Sequence, residues 1–97
     1  MAIGSFGNQG TKDIFEGTDS KAARKTCPKG IWSIARCKLD AINYAAALSD
    51  LAKPGNNLEK LKGELKGLYS VRINDQFRVI FRWNACVATD VAIVDYH

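Results

Sequence analysis

Residues 68–83 constrain the fold of this chain more than any other stretch. Tyr69, Val71 and Ile73 alternate with Ser70, Arg72 and Asn74, and Phe77, Val79, Phe81 and Trp83 alternate with Arg78, Ile80 and Arg82. Period-two alternation rich in β-branched and aromatic residues predicts two half-buried strands, with the polar Asn74-Asp75-Gln76 as the loop of a hairpin. Both apolar rows face one core only if Ile73 pairs with Phe77 and Val71 with Val79, because a one-residue slip flips each side chain to the other face. That register sets Arg72 opposite Arg78 on the second face, with Arg82 further along. Like charges in that position cost a few tenths to about 1 kcal/mol. Two explanations stand: an anionic partner, or pairing with nearby carboxylates such as Asp75, Asp95 or Glu59.

A chain of 97 residues is expected to form one domain over residues 1–97. It buries roughly 60–65% of its unfolded surface, enough for one core between two layers. The net charge of +4 favours an acidic partner, either nucleic acid or an acidic protein. Cys27, Cys37 and Cys86 contain no Cys-x-x-Cys pair, and with His97 the only histidine a zinc site has too few ligands. An odd cysteine count without a disulfide framework fits a reducing compartment, each thiol acting as a small buried apolar group. The start of the chain lacks a basic region followed by an apolar one, and no window approaches about 18 apolar residues. The expected location is the cytoplasm, with no membrane contact.

Along the chain, residues 2–6 read as a short strand added to a sheet. Residues 11–16 follow as one or two helical turns capped by Thr11 and ended by Gly17. Asp19 or Ser20 caps a second segment in which Lys21, Arg24 and Lys25 share one face, either a solvated face or a phosphate-contacting ridge. From 31 to 51 the period becomes helical: Ile31, Ile34, Ala35, Leu39, Ile42, Ala45, Ala46 and Leu48 face the sheet, and Lys29, Ser33, Arg36, Asp40 and Asn43 face away. Residues 53–57 form a loop, 58–62 a brief strand, 63–67 a turn, and Asn84-Ala85 a second turn. The last strand, 87–96, is apolar on both faces at Val91-Ala92-Ile93-Val94, as a central or covered strand would be. The expected class is α+β, with N-terminal helices packed on one face of a small, mostly antiparallel sheet.

No Walker loop, Rossmann glycine pattern, zinc-protease motif or nucleophile elbow is present. A serine, threonine or cysteine nucleophile would have only His97 as a base. What remains is arginines, one histidine, tyrosine and carboxylates. That set suits phosphodiester chemistry: guanidinium groups stabilise charge on the phosphate, histidine or tyrosine moves a proton, and in RNA the neighbouring 2′-hydroxyl is the nucleophile.

Several stretches, in order, resemble the HigB (plasmid-maintenance killer) toxins of the RelE/ParE superfamily. They are Ile3-Gly4-Ser5-Phe6, Leu39-Asp40-Ala41-Ile42-Asn43-Tyr44-Ala45, Pro54-Gly55-Asn56-Asn57-Leu58-Glu59, and Leu61-Lys62-Gly63. The Tyr69-to-Arg78 hairpin and Val94-Asp95-Tyr96-His97 complete the set. The resemblance implies a RelE-like fold and the toxin of a type II toxin–antitoxin system, a ribosome-dependent endoribonuclease that cuts mRNA in the A site without metal or other cofactor. It implies a HigA-type helix-turn-helix antitoxin, and operator DNA contacted indirectly through that antitoxin.

Carried over by resemblance, Arg78 stabilises the scissile phosphate, and Asp95, Tyr96 and His97 form a terminal catalytic group in which Tyr96 or His97 carries a proton. Lys21, Arg24, Lys25, Lys60 and Lys62 contact ribosomal RNA, and Arg72 supplies supporting charge. Glu59 stands where several family members have histidine; it is either a base for the 2′-hydroxyl or a structural partner of Arg72 or Arg78. Two alternatives share the fold: a ParE-like gyrase poison, which has no evident need of Asp95-Tyr96-His97, and a non-catalytic RNA- or protein-binding domain.

Overall fold

A computed structural model describes residues 2–96. Three helices, α1 (Gln9–Glu16), α2 (Lys21–Thr26) and α3 (Trp32–Tyr44), precede four strands, β1 (Glu59–Lys60), β2 (Leu68–Arg72), β3 (Phe77–Asn84) and β4 (Val87–Asp95). The strands form one antiparallel sheet in the order β1-β2-β3-β4. Helices lie on one face, so the class is α+β, as expected.

The hairpin register is the one required by the apolar pattern. Val71 pairs with Val79 and Arg72 with Arg78, and the Ile73 amide donates to the Phe77 carbonyl at 3.0 Å. Val71, Ile73, Phe77, Val79 and Phe81 are all buried, in a core shared with Trp32, Ala35, Leu39 and Ile42 of α3. Each large apolar side chain so enclosed stabilises the fold by about 1.5–3 kcal/mol.

The long helix is shorter than its periodicity predicts. It stops at Tyr44, and Ala45 is extended (φ −67°, ψ 129°). The Asp50 carboxylate accepts from the amides of Ala46 and Ala47, at 2.9 and 3.1 Å, groups that a continuing helix would bond internally. Leu48–Leu51 then forms a separate 3-10 turn. Ile34 falls off the buried stripe and is exposed, whereas Asn43 is buried and its Oδ1 accepts from the Ile3 amide at 3.4 Å.

Other local expectations shift by a residue or two. Asn8, not Thr11, caps α1. Thr11 is fully buried, and its hydroxyl accepts from the Ile93 amide at 2.9 Å, tying α1 to β4. Ser20 caps α2. Gly17 ends α1 in the left-handed conformation (φ 79°), and a Cβ on Gly10 would overlap Thr26 Oγ1 and the Ala22 carbonyl where α1 and α2 cross. The final turn is Ala85-Cys86, both left-handed (φ 50° and 67°).

β4 is last in the order of the four strands, and its outer side is covered, as its two-faced apolar run predicts. Ile3 and Phe6 make parallel bridges to Ala88 and Val91. The Gly4 amide donates to the Ala88 carbonyl at 2.7 Å and the Gly7 amide to Val91 at 2.9 Å. Residues 2–6 thus act as an interrupted strand. Among the described residues no helix is long and apolar enough to cross a membrane.

Replacing Thr11 by valine leaves the Ile93 amide without its buried partner and is expected to destabilise the protein by about 1–3 kcal/mol in urea unfolding, whereas Thr11→Ser keeps the bond and loses only about 0.5–1.5 kcal/mol for the buried methyl. Ser20 Oγ and Gln9 Nε2 donate to Asp13 and hold its carboxyl below the ordinary 3.8. That contribution is complete above the ordinary value and is lost as pH falls through the lower folded value. Asp13→Asn is therefore expected to flatten the acid side of the stability–pH curve below about pH 4, measured by thermal unfolding.

Candidate active site

The register that buries Val71 and Val79 turns Ser70, Arg72 and Arg78 to the sheet face away from α3. Glu59 joins them because it pairs with Ser70, and Val94 because it pairs with Arg78. Tyr96 follows Val94 by two residues and reaches the same place. Its ring centroid lies 4.9 Å from Cζ of Arg78, a cation–π contact.

Arg78 is held on its inner side. Nη1 donates to Ser70 Oγ at 3.2 Å and to the Asn57 carbonyl at 3.4 Å. Ser70 is fully buried, so its contact with the guanidinium is shielded from water. Asn57 is left-handed (φ 44°), which asparagine tolerates well, and this conformation accompanies the carbonyl contact with the guanidinium. Outward, Nη2 of Arg78 lies 3.4 Å from Glu59 Oε1. The arginine side chain is 15% exposed and the glutamate 51%, so a fixed cation sits beside a solvated carboxylate.

The structure thus gathers Arg78, Glu59 and Tyr96. Asp95 lies beside them on the chain, its Oδ2 accepting from Gln76 Nε2 at 2.9 Å. His97 lies outside the described residues. Arg72 is opposite Arg78 along the backbone, but its guanidinium forms an ion pair with Asp75 at the turn. Both arginines therefore have carboxylate partners, and the like-charge cost is offset pair by pair.

The lysines divide into two groups. Lys60 and Lys62, with Lys66, line a cavity of about 430 Å³ beside β1, next along the chain from Glu59. Lys21, Arg24 and Lys25 belong to α2, in the helical layer on the other side of the sheet. Arg24 is committed to Asp19 at 2.6 Å, which Lys29 also binds at 2.8 Å. These two cations hold the Asp19 carboxyl below its ordinary value. The basic ridge is therefore apart from Arg78. Sequence reasoning passed over Ser70 and Asn57 as site residues. Ser70 was visible only as one polar member of an alternating strand, and Asn57 only as turn chemistry.

A sequence profile described as a RelE-like toxin of type II toxin–antitoxin system HigB matches residues 4–97. The chain belongs to the HigB-like toxin family. It is 51% identical over 47 residues to Toxin HigB-1 of Vibrio cholerae serotype O1, a match covering 47% of this chain and 50% of that one. It is 33% identical over 57 residues to an uncharacterized protein of Haemophilus influenzae, covering 58% and 56%. The chain thus spans about half the length of the curated relatives it matches. Its fold is similar to the YoeB dimer from Staphylococcus aureus, with a TM-score of 0.61, 18% identity and coverage of 100% and 99%. It is also similar to a YoeB-YefM complex from the same organism, with a TM-score of 0.60, 20% identity and coverage of 98% and 94%. At those identities the structures establish the RelE-like fold of this HigB-like chain.

The two arginines are expected to differ in double-mutant cycles read by chemical denaturation. Ser70→Ala with Arg78→Ala should give a coupling of about 1.5–3 kcal/mol, as for a hydrogen bond to a charged group. Arg72→Ala with Asp75→Ala, whose carboxylate is almost fully exposed, should give about 0.2–1 kcal/mol.

Proposed function

We propose that this HigB-like protein is the toxin of a type II toxin–antitoxin system, a ribosome-dependent endoribonuclease that cuts mRNA in the A site and so inhibits translation. The observation that carries the reading is the preorganised Arg78 guanidinium, held from within by Ser70 and Asn57, with Glu59 and the Tyr96 ring around it.

A cation already fixed where negative charge develops on a phosphate costs no reorganisation during reaction. In the proposed step a base takes the proton of the 2′-hydroxyl as its oxygen bonds to phosphorus. The bond to the 5′-oxygen breaks as an acid returns a proton to it, leaving a 2′,3′-cyclic phosphate and a free 5′-hydroxyl. Glu59 is the base in this scheme, since its carboxylate is solvated and adjacent to Arg78. Tyr96 or His97 is the acid, with Asp95 beside them. The substrate supplies the nucleophile, so the step asks for no cofactor. Lys60, Lys62 and Arg72 add charge for the RNA backbone near Arg78, while Lys21, Arg24 and Lys25 meet ribosomal RNA from the helical side.

On this reading residues 1–97 act as one toxin domain in the cytoplasm. The partner is a HigA-type helix-turn-helix antitoxin, which links the toxin to operator DNA. A solved heterotetrameric YoeB-YefM toxin-antitoxin complex from Staphylococcus aureus supports this reading, since this chain is similar to it in fold.

Induced expression is expected to halt growth and to produce new mRNA 5′ ends within translated codons. Arg78→Ala, with its unfolding midpoint checked, should lower cleavage on translating ribosomes by about 10²–10³-fold. Intact messages together with a DNA-damage response would sink this reading in favour of gyrase poisoning. Ribosome binding without cleavage would leave a docking domain.

A further inference from the structure

The hairpin turn that separates Arg72 from Arg78 also holds the end of β4. Gln76 bonds two consecutive residues there: its Nε2 donates to Asp95 Oδ2 at 2.9 Å, and its carbonyl accepts from the Tyr96 amide at 2.7 Å. The paired register of the sheet ends at Phe77 opposite Asp95, so Tyr96 lies beyond the last paired residue.

Gln76 is itself well anchored. Asn74 Oδ1 accepts from the Gln76 amide at 2.9 Å and from the Phe77 amide at 2.8 Å, and Phe77 is buried in the core. A closed circuit results, running from the Gln76 carbonyl to the Tyr96 amide, through the Tyr96 ring to the Arg78 guanidinium, and back along β3.

We propose that Gln76 is a positioning residue: its side chain steers the Asp95-Tyr96 segment so that Tyr96 lies against Arg78. The effect on catalysis rests on the ribonuclease reading above; the effect on the placement of Tyr96 does not. The side-chain bond is exposed, where a single polar contact adds little to global stability. Its removal therefore falls on the placement of the segment rather than on the fold. The backbone bond from Tyr96 and the pairing of Asp95 with Phe77 survive in Gln76→Ala, which removes only the side-chain contribution to where the segment rests. A misplacement of about 1 Å at a reacting group can cost on the order of 10²-fold in rate.

The test has two arms that read different things. The full chain is labelled with fluorotyrosine, which reports Tyr44, Tyr69 and Tyr96 separately, and the Tyr96 resonance is assigned with Tyr96→Phe. Gln76→Ala is expected to move or broaden only the Tyr96 signal, with an unchanged unfolding midpoint. Gln76→Glu sets a carboxylate against Asp95 and should displace the signal further. Adding Asp95→Asn to Gln76→Glu restores a hydrogen bond in the reverse sense, and should return the resonance toward its original position.

In the second arm, unlabelled Gln76→Ala on translating ribosomes is expected to lose about 2- to 10-fold in kcat, the range that one hydrogen bond can bias, with KM within about twofold of the original. An unmoved Tyr96 resonance in Gln76→Ala overturns the proposal, as does unchanged kcat where the original protein cuts. If the original protein leaves messages intact, the reaction reading fails, while a displaced Tyr96 signal still upholds the steering role.

Discussion

The pairing of Val71 with Val79 is the constraint on which the remaining structure depends. It is set by burial, because only this register sends Val71, Ile73, Phe77, Val79 and Phe81 into contact with α3. A sheet cannot choose one face without also determining the other. The core thus dictates that Arg72 and Arg78 stand opposite each other, and that Ser70 shares their side. The chemistry of the candidate site is a by-product of how the apolar side is packed.

The two arginines then part company because their surroundings differ. Arg72 stands next to the turn and meets Asp75, whose carboxylate is almost wholly in water. Arg78 lies two pairs from Ser70 along the ladder. It reaches a hydroxyl with no solvent contact and a carbonyl that the left-handed Asn57 supplies. The other terminal nitrogen of Arg78 faces the Glu59 carboxylate at 3.4 Å, a partner that is half in water. The guanidinium is thus held rigidly from within, while its outer contact is the solvated one, and a cation fixed in this way is preorganised for negative charge.

Much of this could be read from residues alone, though unevenly. The hairpin register, the burial of its apolar row and the opposition of the arginines follow from period-two alternation, a signal that is local and redundant. Helix length was less legible: the apolar spacing runs on past Tyr44, but a single carboxylate, Asp50, captures the amides needed to continue. The cap of α1 was misplaced because Thr11 and Asn8 are both good capping residues, and what decides between them is the distant Ile93 amide that claims Thr11. Within the site, Arg78, Glu59 and Tyr96 were legible as residue types. Ser70, Asn57 and Gln76 were not, since each acts through a contact eight or more residues away along the chain.

The seam between residues 2–6 and β4 joins the first described part of the chain to one of the last. Contacts of such sequence separation form late, after the cost of closing a long loop has been met. Until β4 has left the ribosome, the N-terminal segment has no strand to bridge, Thr11 has no amide to accept from, and Arg78 has no tyrosine beside it. The helices are short and share their core with the sheet, so a nascent chain has neither a finished helical layer nor an assembled candidate site until β4 is present. The order of synthesis separates the making of this protein from the moment at which its arginine face is assembled.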